Sequence, residues 1–341
     1  MFKMKFKFVS CLILLTWRCG LGQQDYYFTF STIKARPIAM ASAYTAMEDN
    51  IVSANFNPAT LSFYRFDKAH RITLFFNPIA PTGLFSTNQE VDLGTKRPVS
   101  DRLKTILLAV KGIAVTANFL DLALLLNEQV INTTVLREQR QFFQDGATWD
   151  NSYHSLIARL KLADRVSLGF SSSVYRQIIG GQAHSGWGFS YGILLKPSPR
   201  MNVGLAFIDF PNKIAEVRLP LERLSDQTMN IGICYRPWSN ATVSLDVRNL
   251  TEDDRKGVRE IHLGFEQNLF SVVALRTGYF QERFASVRIF SAGIGLIDSN
   301  IFVSEENKFN HPQFMVNYAF LYQKEQVQFA RWHVLSLLIR I

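Results

Sequence analysis

The chain is short of cysteine, of long apolar runs and of concentrated charge, and each shortage removes a class of protein. Cys11, Cys19 and Cys234 are its only cysteines among 341 residues. The first two fall in a segment that reads as cleavable, so the exported chain has no internal disulfide. One remaining cysteine and six histidines without ligand spacing give no zinc site. No later stretch approaches the roughly 20 apolar residues that a spanning helix requires, and no glycine loop of a phosphate-binding kind is present. Gly188-Phe189-Ser190-Tyr191-Gly192 has the spacing of an esterase nucleophile elbow, which needs a sharp strand-to-helix turn. Here it lies inside an alternating run with Trp187, Phe189, Tyr191 and Ile193 on one face, and a strand interior cannot supply that turn. These shortages point away from an enzyme, and no cofactor or metal is expected.

What is present begins with an export signal. Lys3, Lys5 and Lys7 form a basic start, Phe8 to Leu15 a short apolar core, and Gly20-Leu21-Gly22 a small-residue cleavage site. Residues 1–22 therefore read as a signal peptide, with the mature chain starting near Gln23. Thr16-Trp17-Arg18, ahead of Cys19, is too bulky and charged for a lipoprotein site. The signal carries four of the 37 basic residues and none of the 28 acidic ones, so the mature chain has a net charge of +5. That excess is spread along the chain and gives no case for nucleic acid.

The dominant pattern is alternation. Val243, Leu245 and Val247 oppose Thr242, Ser244, Asp246 and Arg248; Ile261, Leu263 and Phe265 oppose Glu260, His262, Gly264 and Glu266. Met229, Ile231, Ile233 and Tyr235 face away from Asn230, Gly232, Cys234 and Arg236. Successive strand side chains point to opposite faces, so these are strands with one apolar and one polar face. Aromatic residues make up 13% of the chain, including 28 Phe, and mean hydropathy is only +0.03, the neutral average of a spanning barrel that hides its apolar residues at every second position. Tyr235, Tyr279, Trp187, Tyr318 and Tyr322 stand near the ends of apolar faces, as at lipid headgroups.

Fourteen strands are predicted, near 69–78, 104–111, 113–121, 151–162, 165–177, 186–196, 200–210, 226–236, 241–249, 258–268, 271–281, 286–297, 311–322 and 328–341, with twelve as the alternative. Tight turns are expected at Gly112, at 163–164, at 197–199, at 237–240 and at 269–270. Longer connections are expected at 79–103, 122–150, 178–185, 212–225 and 250–257. With the C-terminus in the periplasm, the tight turns fall on the periplasmic side and the longer loops outside, except for 298–310. His333 to Ile341 alternate like the strand that barrel-assembly machinery reads, with Ile341 where Phe is usual. The fold expected is an all-β transmembrane, antiparallel outer-membrane barrel over residues 67–341.

Residues 34–62 show no strand alternation, and 23–66 are expected to form a luminal hatch with short helices. Pro37 suits a first helical turn, Ala39 to Met47 can be helical, Glu48-Asp49-Asn50 would stop that helix, and Asn57-Pro58-Ala59 signals a turn. Arg36-Pro37, Ala43-Tyr44-Thr45-Ala46, Glu48-Asp49-Asn50 and Asn57-Pro58-Ala59 together resemble the N-terminal hatch of the FadL-type fatty-acid transport porins and their PorV/PorQ relatives. Gly232 to Pro237 and Leu275 to Tyr279 extend the likeness along the barrel. Three departures stand out: Ala41-Ser42 replaces a glycine pair, Glu48-Asp49-Asn50 replaces an acidic pair, and Thr60 replaces glycine.

The resemblance implies a fourteen-stranded barrel in the outer membrane of a Gram-negative-type envelope, with a plug. In transport members it implies diffusive uptake of small hydrophobic or amphipathic molecules. In others it implies an accessory barrel that docks secretion-pathway proteins without transporting. The expected partners are accordingly outer-membrane lipid, a hydrophobic small molecule and secretion-system proteins. The plug and gating candidates are Arg36, Pro37, Glu48, Asp49, Asn50, Asn57, Pro58 and Ala59. Arg236, Asp246, Arg248, His262, Glu266 and Arg276 are the luminal polar candidates, with Arg176, Arg288 and Arg340 assigned mainly to the same face. Structural pairing within the barrel and a path for an anionic headgroup both fit these charges. Phe142, Phe143 and Trp149 are candidates for capture in the outer loops.

Overall fold

The structure is a computed structural model that describes residues 34–49, 51–61, 71–76, 83–86, 110–117, 119–129, 152–179, 182–209, 227–248, 250, 260–269, 273–282, 288–296, 313–325 and 328–340. The expected signal, Asn50, Phe142, Phe143 and Trp149 lie outside the described residues.

Fifteen strand segments form one sheet. They are β1 (Arg71–Phe76), β2 (Gly83–Ser86), β3 (Val110–Thr116), β4 (Leu120–Gln129), β5 (Ser152–Ala163), β6 (Val166–Ile179), β7 (Gln182–Ser198) and β8 (Met201–Asp209), followed by β9 (Gln227–Tyr235), β10 (Ala241–Arg248), β11 (Glu260–Leu269), β12 (Val273–Glu282), β13 (Arg288–Leu296), β14 (Gln313–Glu325) and β15 (Gln328–Arg340). From β3 onward each strand pairs antiparallel with the next, and β15 closes on the start of the chain. β1 and β2 share one edge of β15, with Phe76 opposite Ile339 and Gly83 opposite Leu335. They are two pieces of one interrupted strand, so the fifteen described segments fill fourteen positions in a closed barrel.

The alternation decides the environment. Outward positions are apolar and accessible: Ile72 is 68% exposed, Leu156 57% and Trp187 62%. Inward positions such as Asp246, His262, Asn230 and Arg248 are buried. A water-soluble fold reverses this arrangement, whereas a barrel crossing a bilayer requires it, because lipid solvates the outer face and the strands pair every backbone group. No described helix is long and apolar enough to cross a membrane.

The strand count agrees with expectation, but several placements do not: β2 falls within the connection expected at 79–103, and the strands expected at 104–111 and 113–121 are found as β3 and β4, the latter running to Gln129 into the connection expected at 122–150. Gly112 is not a turn: it lies within β3, opposite Leu125 of β4, and the chain reverses between Thr116 and Leu120, whose carbonyl accepts from the Ala117 amide. A side chain at Gly112 would meet Ile51 inside the barrel, so this glycine serves close approach rather than chain reversal. The connection expected at 178–185 is also shorter. β6 and β7 stay paired out to Ile179 and Gln182, and the alternation that continues through both strands supports this longer hairpin.

Inside the barrel lies the described segment 34–61. It starts with a short helix, α1 (Ala35–Ala39), against β12–β15, and ends with 3-10 turns at Ser53–Asn55 and Pro58–Thr60, the latter against β5–β8. The helix expected over Ala39 to Met47 does not form. α1 stops at Ala39 because Ala41 and Ser42 take positive φ values of 48° and 61°, which no right-handed helix accommodates. Met40, Tyr44, Met47, Ile51, Phe56 and Leu61 cluster with Ala114, Ala123, Leu125 and Ile157 of the wall. Tyr44 and Phe56 meet with ring centroids 5.3 Å apart.

The wall makes room for this segment with inward glycines. A side chain at Gly169 would overlap Pro58 and Ala59, and one at Gly204 would overlap Thr45 and Ala46. Gly169→Val is therefore expected to unseat the Pro58–Thr60 turn at about 1–3 kcal/mol, the usual cost of overpacking. Urea unfolding of the barrel in lipid checks it, and an unchanged midpoint would show that the segment does not hold this position.

Candidate functional site

Residues 34–49 and 51–61 lie inside the barrel, in the place expected of a plug, and three groups of wall side chains hold them. The first centres on Arg36 of α1. Its guanidinium lies 2.7 Å from Asp49 and 2.8 Å from Glu266 of β11, reaching Glu266 through two nitrogens. Arg276 of β12 shares Glu266 Oε2 with Arg36, at 2.5 Å, and donates to Asn317 at 2.7 Å. Burial opposes the charge on Arg36, but Asp49 and Glu266 outweigh it and hold its pKa well above the ordinary value. Burial pushes the Tyr44 phenol upward as well, so it stays neutral beside Asp49.

The second group binds the plug's irregular backbone. Asp246 of β10 accepts from the Tyr44 and Thr45 amides, both at 2.9 Å, and from the Thr45 hydroxyl at 2.7 Å. Arg248 pairs with Asp246 at 3.1 Å and donates to the Ser42 carbonyl. His262 Nδ1 lies 2.6 Å from the Ala41 carbonyl, with Nε2 3.1 Å from Glu260. Ser291 of β13 accepts from the Ala41 amide at 3.1 Å and donates to the Ala39 carbonyl at 3.0 Å. Asn202 donates to the Ala46 carbonyl at 3.3 Å.

The third group sits toward the tight-turn end of β4–β7. Glu48 lies 3.1 Å from Arg159 and 2.7 Å from Lys196, while Asp121 lies 2.8 Å from Lys161. Arg159 also donates to the Leu61 carbonyl. Close by, Asn57 caps its own turn by accepting from the Ala59 amide at 2.9 Å, and its side-chain nitrogen donates to Thr45 and Ile193 carbonyls.

Arg36, Glu48, Asp49 and Asn57 thus make anchoring contacts, and Pro37, Pro58 and Ala59 shape the turns between them. Among the luminal candidates Asp246, Arg248, His262, Glu266 and Arg276 converge on the plug. Arg236 does not: it follows β9 at the rim and is half-buried. Arg288 is exposed on the outer-face parity of β13, and the side chains of Arg176 and Arg340 lie outside the described residues. Sequence reasoning missed Arg159, Lys161, Lys196, Asp121, Asn202 and Ser291. Ser190 lies mid-strand in β7, opposite Ile208, with no elbow. Among the described residues no group of three potential metal ligands converges.

No protein-family model and no curated protein sequence matches this chain. Solved structures match it as barrels of similar architecture. A structure described as the CymD monoaromatic hydrocarbon channel aligns over 92% of this chain and 98% of its own, at 9% identity and a TM-score of 0.49. A Pseudomonas aeruginosa FadL homologue aligns over 92% and 99%, at 11% identity and 0.48. A mutant of Rh. blastica porin aligns over 80% and 100%, at 9% and 0.41.

Two outcomes test the anchoring. Arg36→Ala removes the ion pairs to Asp49 and Glu266 and is expected to destabilise the plug by about 3 kcal/mol, as for a broken buried pair. Glycine at Ala41 and Ser42 removes the left-handed strain, for a net gain of up to about 1 kcal/mol per site. Hydrogen exchange of the 40–47 amides reads both: faster for the first variant, slower for the second. No change in either would mean the plug is held elsewhere.

Proposed function

We propose that the chain is an outer-membrane barrel for uptake of small hydrophobic or amphipathic molecules, which leave sideways through the wall rather than past the plug. The observation that carries this reading is the interrupted strand. Among the described residues β1 and β2 meet the same edge of β15 in registers that differ by three residues, Phe76 opposite Ile339 and Gly83 opposite Leu335. Pro78 and Pro81 fall between them in the sequence and cannot donate to a ladder. Phe280, Ile289, Leu321 and Val334 form an apolar luminal patch on β12–β15, alongside the polar Arg276, Ser291, Asn317 and Ser336 of the same strands and separate from the cluster that the plug's own side chains form. An apolar patch of lumen wall on the strands next to that edge suits a ligand bound for the bilayer. The family resemblance of the hatch and the names of the hydrocarbon channel and the FadL homologue support the same class of ligand.

The second reading, an accessory barrel that docks secretion proteins, is favoured by one observation: at plug level the inward side chains are buried around the whole described wall, as an occluded scaffold would have them.

Proteoliposomes carrying refolded protein separate the two. Uptake of a hydrophobic dye or labelled fatty acid above empty liposomes is expected. A disulfide between Phe76→Cys and Ile339→Cys, directly opposite in register, should block uptake when oxidised and restore it on reduction. Uptake unaffected by the cross-link would overturn the lateral route. No uptake by folded protein would overturn transport and favour the docking reading.

A further inference from the structure

The tight-turn end of the barrel carries three arginines that no ion pair of the described residues engages. Arg165 lies in the β5–β6 turn and Arg200 in the β7–β8 turn, both exposed, and Arg236 follows β9. The backbone fixes them in sequence around the rim. The Lys196 amide donates to the Arg165 carbonyl at 2.8 Å, and the Arg236 amide donates to the Arg200 carbonyl at 2.7 Å. The neighbouring lysines do not join them, since Lys161 and Lys196 turn inward to Asp121 and Glu48. Asp164 is the only acid on these described turns. Phe119, Leu162 and Trp238 stand on the same end, 63%, 56% and 52% exposed.

Arginines and exposed aromatic and apolar residues at the same end of a membrane barrel match a headgroup over acyl chains. Neighbouring strands lie about 4.8 Å apart, so Arg165 and Arg200, two strand positions apart, are separated by roughly 10 Å along the rim. Arginine binds phosphate through paired N–H donors. We propose that Arg165, Arg200 and Arg236 form a binding site for an anionic phospholipid of the inner leaflet, best filled by a lipid with two phosphodiesters. The site rests on the proposed placement only in taking the tight-turn end as the inner-leaflet side, and not on transport. An acidic protein would meet the arginines but has no need of Phe119, Leu162 and Trp238 at the same end.

The test is native mass spectrometry of full-length mature protein released from nanodiscs of phosphatidylethanolamine, phosphatidylglycerol and cardiolipin. Wild type is expected to retain cardiolipin in preference to phosphatidylethanolamine. The R165Q/R200Q/R236Q variant should lose that preference while keeping its phosphatidylethanolamine and its folded gel mobility, and R165K/R200K/R236K should recover part of it. A wild type without preference, or a glutamine variant that keeps it, overturns the site. Because retention needs no uptake, failure here is distinguishable from failure of the transport reading.

Discussion

A chain segment with little regular structure, enclosed in a barrel, has backbone amides and carbonyls that neither a ladder nor water can satisfy. An unpaired buried group costs on the order of 1–3 kcal/mol. The rest of this structure answers that constraint. Asp246 takes two amides and a hydroxyl from one stretch of plug, Ser291 takes an amide and gives to a carbonyl, and Arg248, His262 and Asn202 each meet a carbonyl. The polar faces of β8–β13 are therefore complementary to one particular backbone path. Their alternation with apolar residues is what places them inside.

The same contacts bear on how a molecule could pass. About a dozen hydrogen bonds join plug and wall, and charged groups take part in several. At roughly 1 kcal/mol net for each bond, withdrawing the plug costs on the order of 10 kcal/mol, a population near one in ten million. Among the described residues β1 and β2 give β15 six register pairs where β14 gives it thirteen, so the β1–β2 edge is the less extensively paired side of β15. On that count the proposed lateral route breaks fewer described contacts than withdrawal of the plug.

Much of the barrel is readable in the sequence because the membrane enforces a strict period of two. Asp246, Arg248, His262 and Glu266 fall on the correct face from alternation alone. What alternation could not give is why a residue is inward and small. Gly112 looks like a turn glycine when the chain is read locally, and only the presence of Ile51 inside the barrel explains it. Arg159 and Lys196 were likewise invisible as site residues, since nothing on β5 or β7 announces that Glu48, more than a hundred positions away, will meet them. Their positions on the inward parity were the available signal. Asn57-Pro58-Ala59, by contrast, is legible because its cap and its turn are local.

Ala41 and Ser42 show which way control runs between plug and wall. A left-handed conformation costs an L-residue roughly 1–2 kcal/mol, and alanine has no side chain that could offset it locally. The pair is nevertheless pinned at both ends. The Ala41 amide reaches Ser291 and its carbonyl His262, while the Ser42 amide reaches the Pro37 carbonyl and its own carbonyl meets Arg248. Four bonds at about 1 kcal/mol each match or exceed the strain of two residues. Three of those partners belong to β10, β11 and β13, so the local sequence would relax this turn and the barrel imposes it. Glycines at these positions would accept the turn without the wall. Alanine and serine make the plug's fold conditional on strands more than 200 residues later in the chain.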